Sequence, residues 1–324
     1  MSFLRRFGSI LGSLVGFFLL CAIFSYLSPY FLTLDNFISV LRQGAALYLV
    51  AIAMTFCIIS GGIDLSVGSV MALAGCSAGI FMSSGVDWRL AGILGLLEGI
   101  LLGYIMGILV ARVQLQPFIV TLVVMSFARG LALVFTNGQP VSGFPLEFRW
   151  LGTATVPYLD FLPIPVAIGV IAFALAGFIL RETNFGINVY AVGSNYEAAV
   201  YSGINVKRTL TLVYTLSGFL SAAGGIVLTS RVNSGQPILG EGIELDGIAA
   251  VVIGGTAMSG GQGGIIGTII GTMIILFLRN GLNLMAVSAF WQKVIIGVVI
   301  LVAVLVDKYQ QRIRAKRSAM AMAE

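Results

Sequence analysis

Residues 61–69 read Gly61-Gly62-Ile63-Asp64-Leu65-Ser66-Val67-Gly68-Ser69 and continue as a small-residue apolar run to Gly75. The pattern returns 180 residues later, where Gly242-Ile243-Glu244-Leu245 heads a similar run that ends at Gly255. Two acids, each at the head of an apolar segment, raise the question of which way the segments run. The surrounding composition answers in part. Of 324 residues, 58% are hydrophobic and 10% charged, against about 45–50% and about 25% in a soluble domain. Apolar residues and glycine together suffice for roughly ten membrane helices of about 20 residues. A water-soluble globule is excluded.

Apolar spans fall near 10–27, 43–60, 67–83, 90–111, 117–135, 164–180, 209–229, 247–258, 264–282 and 288–306. The expected fold is therefore all-α, a single polytopic membrane domain of about ten helices. The eighth span has 12 residues, too few to cross about 30 Å of hydrocarbon at 1.5 Å per residue, and is expected to be a half-helix or re-entrant segment. Ten spans place both termini on one side. Eleven Lys and Arg residues fall on that side and five on the other, with Arg129 and Lys293 inside spans, so the positive-inside rule makes both termini cytoplasmic. The first span, preceded by Arg5 and Arg6, is read as a retained insertion signal. In this topology the segment headed by Asp64 enters from the cytoplasm and the one headed by Glu244 from outside. That is the pattern of a 5+5 inverted repeat, although a chance four-residue match in an apolar chain would look the same.

The sequence has no His, which removes the imidazole chemistry of most triads, metal centres and proton relays. No catalytic residue and no metal site is expected. Cys21, Cys57 and Cys76 lie in apolar runs and read as small buried hydrophobes. The formal charge of +5 belongs to topology rather than to nucleic acid. No GxxxxGK[ST] occurs, so the chain has no P-loop for ATP. Gly103/Gly107 and Gly267/Gly271 have the GxxxG spacing that lets helices approach closely.

Acids within spans need partners or water. Asp64 is expected either to cap the third span or to line a pathway. Glu98 is expected to pair with Arg89 or to snorkel, Arg129 to snorkel toward headgroups or to reach a carboxylate on another helix, and Lys293 to anchor an interface. Glu241, Glu244 and Asp246 form a further group of pathway candidates. Residues 181–208 form a 28-residue cytoplasmic connection, long enough to suggest function. Within it Asn195 suits an N-cap, Glu197 the positive helix end, Ala198 and Ala199 the helix interior, and Gly203 the left-handed C′ position. Such a two-turn helix is too short to stand alone in water and must pack on something. A partner's groove is one candidate and the end of its own bundle another.

Taken together, these residues resemble the membrane permease of bacterial ABC importers for monosaccharides, in the ribose-type branch. The similarity runs over roughly 43–306 through Met54-Thr55-Phe56, Gly61 to Ser69, and Phe118-Ile119-Val120-Thr121-Leu122 with Arg129-Gly130. It continues through Tyr190 to Asn195 with Ala198-Ala199 and Ser202 to Val206, then Glu244-Leu245-Asp246 with Val251 to Thr256, and Asn280 to Leu284. The resemblance implies an inner-membrane permease, a cytoplasmic ABC ATPase that binds ATP and Mg²⁺, a periplasmic sugar-binding protein, and a second permease, identical or a sister chain. It also implies that Asn195, Glu197, Ala198, Ala199 and Gly203 form the coupling element that docks on the ATPase. The chain itself needs no cofactor.

A neutral sugar calls for hydroxyl, amide and small-residue walls. Ser66, Ser69, Thr121, Asn280 and Asn283 are the expected wall, with Asp64, Glu244 and Asp246 beside the path. Ala53 and Ser194 stand where the family pattern has Gly, Gly247 where it has Ala, and Ile243 where it has Tyr. The last departure leaves the sugar's identity open. Two rivals remain at this point. One is a stand-alone secondary transporter that uses Asp64, Glu98 and Glu244 as ion ligands. The other is an ABC permease for another solute, such as a branched-chain amino acid.

Overall fold

The computed structural model describes the backbone of residues 2–323 and the side chains of 11–309 other than 160, 303, 306 and 307. Helix α1 (Ser2–Leu27) is followed by α2 (Leu34–Gln43) and α3 (Ala45–Ile59), which meet at Gly44 with a bend of 52°. Next come α4 (Val67–Ser83), α5 (Trp88–Ala111) and α6 (Pro117–Thr136). The Pro-rich loop holds β1 (Val141–Ser142), α7 (Leu146–Thr153), β2 (Thr155–Val156) and β3 (Leu159–Pro163). Then follow α8 (Ile164–Glu182), α9 (Asn184–Ser194), α10 (Tyr196–Tyr201), α11 (Val206–Val232) and β4 (Ser234–Gly235). The chain continues with α12 (Ile243–Ile253), α13 (Ile265–Leu284) and α14 (Ala289–Ala323). The all-α expectation is thus modified by two small antiparallel pairs, β1 with β4 and β2 with β3.

Each of the ten expected spans falls on a helix, and the third coincides with α4. Among the residues with described side chains, length and apolarity nevertheless single out five helices able to cross a membrane, α5, α6, α8, α11 and α13, or six if the bent α2–α3 pair is one span. Within those residues, further apolar helix covers Leu11–Leu27 of α1, Val67–Ser83 of α4 and Ala289–Val302 of α14. Helix α12, the expected half-helix, has 11 residues and a length of about 16 Å, roughly half the hydrocarbon thickness. On α5, α6 and α8 the outward residues include Leu97, Leu101, Phe127, Val170 and Phe178, a surface suited to acyl chains and not to water.

The bundle has two ends. At one, the α10 side, Gly193 packs on the last turn of α3, and the Gly261 amide donates to the Ile59 carbonyl at 2.8 Å. At the other, the α7 side, Ser230 at the end of α11 donates to the Phe148 carbonyl at 2.7 Å. All fifteen residues of α3 are buried, as befits a central helix apolar on every face. Close approach around it depends on glycine. Gly95, Gly99, Gly103 and Gly107 recur every four residues along α5, and an added Cβ at each would meet backbone of α4 or α11. Gly267 and Gly271 of α13 lie in the same way against Gly254 and Ala250. Both GxxxG pairs therefore mark helix contacts, and the stripe on α5 is twice as long as the pair read from the sequence.

Helices α4 and α12 both begin inside the bundle and run in opposite directions. From Ile59 the chain turns back through 60–66, where Asp64 meets Ser217 in the middle of α11. Helix α4 then rises to Gly79, which packs on Phe144 at the α7 side. From α11 the chain descends past Gly235, beside Gly75 and Cys76, to Gly240, beside Gly68 and Met71. Helix α12 continues toward the α10 side, where Gly254 packs on Gly267. Irregular backbone at this depth must be satisfied by protein, and Arg129 does so: its Nη1 donates to the Pro237 carbonyl and, at 3.0 Å, to that of Leu239. The expected snorkelling of Arg129 is corrected accordingly, because its guanidinium is engaged by two backbone carbonyls of the 236–240 segment.

Candidate functional site

Three groupings of polar residues stand out: a vestibule at the α7 side, a buried cluster at the heads of α4 and α12, and an elbow at the α10 side.

The vestibule is a cavity of about 320 Å³ between α2, α11, α12 and α13, at the lower end of the size range of small-molecule sites. Three expected pathway residues meet there: Asp246, Asn280 and Asn283. Asp246, whose side chain is 4% exposed, is paired with Arg279 at 2.6 Å. Asn280 and Asn36 exchange reciprocal amide hydrogen bonds at 2.8 and 2.9 Å. The carbonyl of Asn283 accepts from Gln292 at 2.7 Å. Each amide keeps a donor or acceptor for a ligand. Arg279, Arg231, Gln43 and Glu241 share the wall, so it is not the uncharged surface expected. Two of its charges cancel within the Asp246–Arg279 pair. Glu241 lies 3.8 Å from Lys293, both well exposed, a contact worth little. Sequence reasoning missed Arg279 because its partner is 33 residues away on another helix. It missed Asn36 because α2 lies between the first two expected spans, 10–27 and 43–60.

The remaining pathway candidates are elsewhere. Asp64, Ser66 and Thr121 are fully buried and Ser69 nearly so, and none lines the vestibule. Asp64 Oδ1 accepts from the Ser66 amide at 2.9 Å and its hydroxyl at 2.6 Å, while Oδ2 accepts from Ser217 at 2.6 Å. The carboxylate thus closes a turn on Ser66, the residue before α4, without accepting from an amide of the helix itself, and ties the 60–66 segment to α11. Thr121 donates to the Ile63 carbonyl at 3.3 Å and holds the same segment from α6. Glu244 is half-buried beside the first turn of α4, with Oε2 close to Gly68, where the positive ends of α4 and α12 both favour a carboxylate. Glu98 does not pair with Arg89. The Arg89 guanidinium stacks over Trp88 at 4.9 Å, and Glu98 faces Ser77 of α4, because two and a half helical turns separate the two charges.

At the elbow the 181–208 connection is largely helical. Its longer helix, α9, is one that the sequence reading passed over; Thr183 caps it by accepting from the Gly186 amide at 3.2 Å. The expected helix is α10. Asn195 Oδ1 accepts from the Ala198 amide at 2.9 Å and Gly203 has φ of +78°, so both ends are as read from the sequence. Ala199 packs inward, whereas Tyr196, Glu197, Ala198, Val200 and Tyr201 face outward, with Tyr201 89% exposed. Behind α10 the elbow is fixed to the bundle. Gly193 abuts Ile59 and Gly261, and Tyr190 donates to the Gly263 carbonyl at 2.9 Å. Whatever moves α10 therefore pulls on the end of α3 and on the link between α12 and α13.

No cluster of three or more Cys, Asp or Glu side chains able to hold a metal occurs among the described residues.

Comparison with known proteins places this architecture. Residues 36–304 match the family model described as the permease component of the branched-chain amino acid transport system. The ribose import permease protein of Bacillus subtilis strain 168 is 47% identical over 300 residues, 92% of each chain. That of Haemophilus influenzae is 44% identical over 298 residues, again 92% of each. The D-allose transport system permease protein of Escherichia coli K12 is 38% identical over 292 residues, 90% of this chain and 89% of the relative. No solved structure matches the chain. With outward-facing apolar helices and this similarity over nine-tenths of its length, the chain is a multi-pass membrane protein and belongs to the ABC-importer permease family, in the branch that contains the ribose import permeases.

Proposed function

We propose that the protein is the translocation subunit of an ATP-driven importer that carries a monosaccharide across the bacterial inner membrane. A periplasmic binding protein delivers the sugar on the α7 side, and a second permease, identical or a sister chain, completes the path. A cytoplasmic ABC ATPase binds ATP and Mg²⁺ and docks on Asn195, Glu197, Ala198 and Gly203, whereas Ala199, expected in the same surface, is buried and packs α10 onto its own bundle; the chain itself holds no nucleotide. The observation that carries the reading is the elbow. Helix α10 turns an exposed, partly apolar face outward while its base is clamped to α3 and to the α12–α13 link.

The α10 side is then cytoplasmic, in line with the excess of basic residues there. Both termini are assigned to it by the same charge count, and the contact of Ser13 in α1 with the Ile253 carbonyl at the α10 end of α12 supports this for the N-terminal helix. About ten apolar segments are embedded in the membrane in a 5+5 inverted arrangement, with α12 as a half-helix. This is supported by the opposed directions of α4 and α12 and by their acid-bearing heads, Asp64 and Glu244. The sugar's hydroxyls meet Asn280 and Asn283 and the Asp246–Arg279 pair in the vestibule, while Ser66 and Thr121 hold the segment that leads into α4. A monosaccharide is favoured over a branched-chain amino acid by relatives named for ribose and D-allose at 38–47% identity.

The reading is tested by sugar uptake into proteoliposomes with the ATPase present or omitted. Uptake is expected only with ATPase, binding protein and ATP. Entry that ignores the ATPase and follows an ion gradient would return the chain to the secondary transporters.

A further inference from the structure

A second hollow, of about 520 Å³, opens on the membrane flank between the last turns of α5 and the first turns of α11. Its rim carries Arg112, Lys207 and Arg208, and no acidic side chain lines it. Among the described residues the ion pairs are Asp246–Arg279 and Glu241–Lys293, so the three rim cations have no carboxylate partner within 4 Å. Asn205 caps α11 by accepting from the Arg208 amide at 2.9 Å. The positive end of a 27-residue helix adds to the field at the rim.

Below the cations the wall changes character. Tyr104 and Leu212, 45% and 43% exposed, line the floor. Tyr104 lies about 12 Å deeper than Arg112 along α5, and Leu212 about 7.5 Å deeper than Lys207 along α11. The floor continues into the outward-facing row of Leu97, Leu101 and Ile105. A cationic rim above an apolar slot that opens toward acyl chains matches a molecule with an anionic head and a hydrocarbon tail.

We propose that this hollow binds an anionic phospholipid of the leaflet on the α10 side. The phosphate lies among Arg112, Lys207 and Arg208, and the upper acyl chain lies along Tyr104 and Leu212. A soluble partner could meet the rim, but it would not enter a slot that descends into the hydrocarbon. The cations also serve to orient the chain in the membrane; that role needs the charges and has no use for the slot.

The test is mass spectrometry of the intact full-length permease in detergent, titrated with phosphatidylglycerol, with phosphatidylcholine, and with inorganic phosphate as competitor. Phosphatidylglycerol is expected to be retained in preference to phosphatidylcholine. Affinity should fall about fivefold for each cation removed in the series R112Q, K207Q, R208Q. L212W keeps every charge, and hence the topology, but fills the slot; it should also lose phosphatidylglycerol severalfold. Three outcomes would overturn the proposal. One is equal retention of both lipids. Another is an L212W variant that binds like the parent while inorganic phosphate displaces the lipid, which marks a free-phosphate site. The third is a cation series that keeps its lipid but no longer co-purifies with the ATPase, which assigns the rim to subunit docking.

Discussion

Replacing Gly193 with alanine tests the clamp behind the elbow. An added Cβ would run into the Ile59 carbonyl oxygen and stand 2.8 Å from both the Ile59 carbonyl carbon and the Gly261 amide nitrogen. All are backbone atoms, so no side chain can swing away to make room. Overpacking of this kind costs about 1–3 kcal/mol. Relief requires separating Gly261 from Ile59, with loss of their 2.8 Å hydrogen bond, about 1 kcal/mol more. A total of about 2–4 kcal/mol falls on a local contact rather than on the core. The elbow should detach while the bundle stays folded.

At 1.4 kcal/mol per factor of ten, even the lower figure shifts the clamped-to-released equilibrium by about thirtyfold. The assay is sugar uptake per ATP hydrolysed in proteoliposomes, with thermal unfolding in detergent alongside. G193A should lose at least tenfold in uptake with a modest change in melting temperature. Gly92→Ala is the control, since a Cβ there meets nothing within 4 Å and alanine favours the helix. Parental uptake by G193A would refute the idea that motion of α10 reaches the bundle through this contact.

Three further outcomes follow from the same geometry. R279Q should destabilise the protein by about 1–3 kcal/mol, less than for a fully buried pair because Arg279 is half-exposed; D246N added to it should recover most of the loss, and a double-mutant cycle in thermal unfolding reads the difference. S217A removes one of three side-chain or backbone donors to the buried Asp64 carboxylate and should cost about 1.5–3 kcal/mol, visible as a lower melting temperature. Y201A deletes a ring that touches little of its own chain, being 89% exposed; thermal stability should be unchanged while co-purification with the ATPase and coupled uptake both fall.

Most of the helical plan was legible from local pattern. Long apolar runs bounded by Gly, Pro and polar residues placed helices on all ten expected segments, because a backbone in hydrocarbon must satisfy its own hydrogen bonds. The shortness of the eighth span identified α12 as incomplete. The caps of α10 were equally local: Asn195 and Gly203 act within four residues of themselves. By contrast, the depth of a residue was not readable. Asp64 heads a span in sequence, yet the chain doubles back and carries it to mid-bundle, where Ser217, 153 residues away, completes its shell.

What the amino-acid order determined by itself was therefore the class of solvent, the helices and their ends, and the family, since these depend on composition and on neighbours within a turn or two. What tertiary structure decided was which polar groups meet. It united Asp246 with Arg279 and Asn36 with Asn280 around one cavity, sent Arg129 to the carbonyls of the irregular segment before α12 instead of to headgroups, and buried Ser66, Ser69 and Thr121 away from that cavity. The physical reason is that a buried charge or amide takes whichever partner the packing of distant helices brings within about 3 Å, and periodicity along one helix carries no record of that partner.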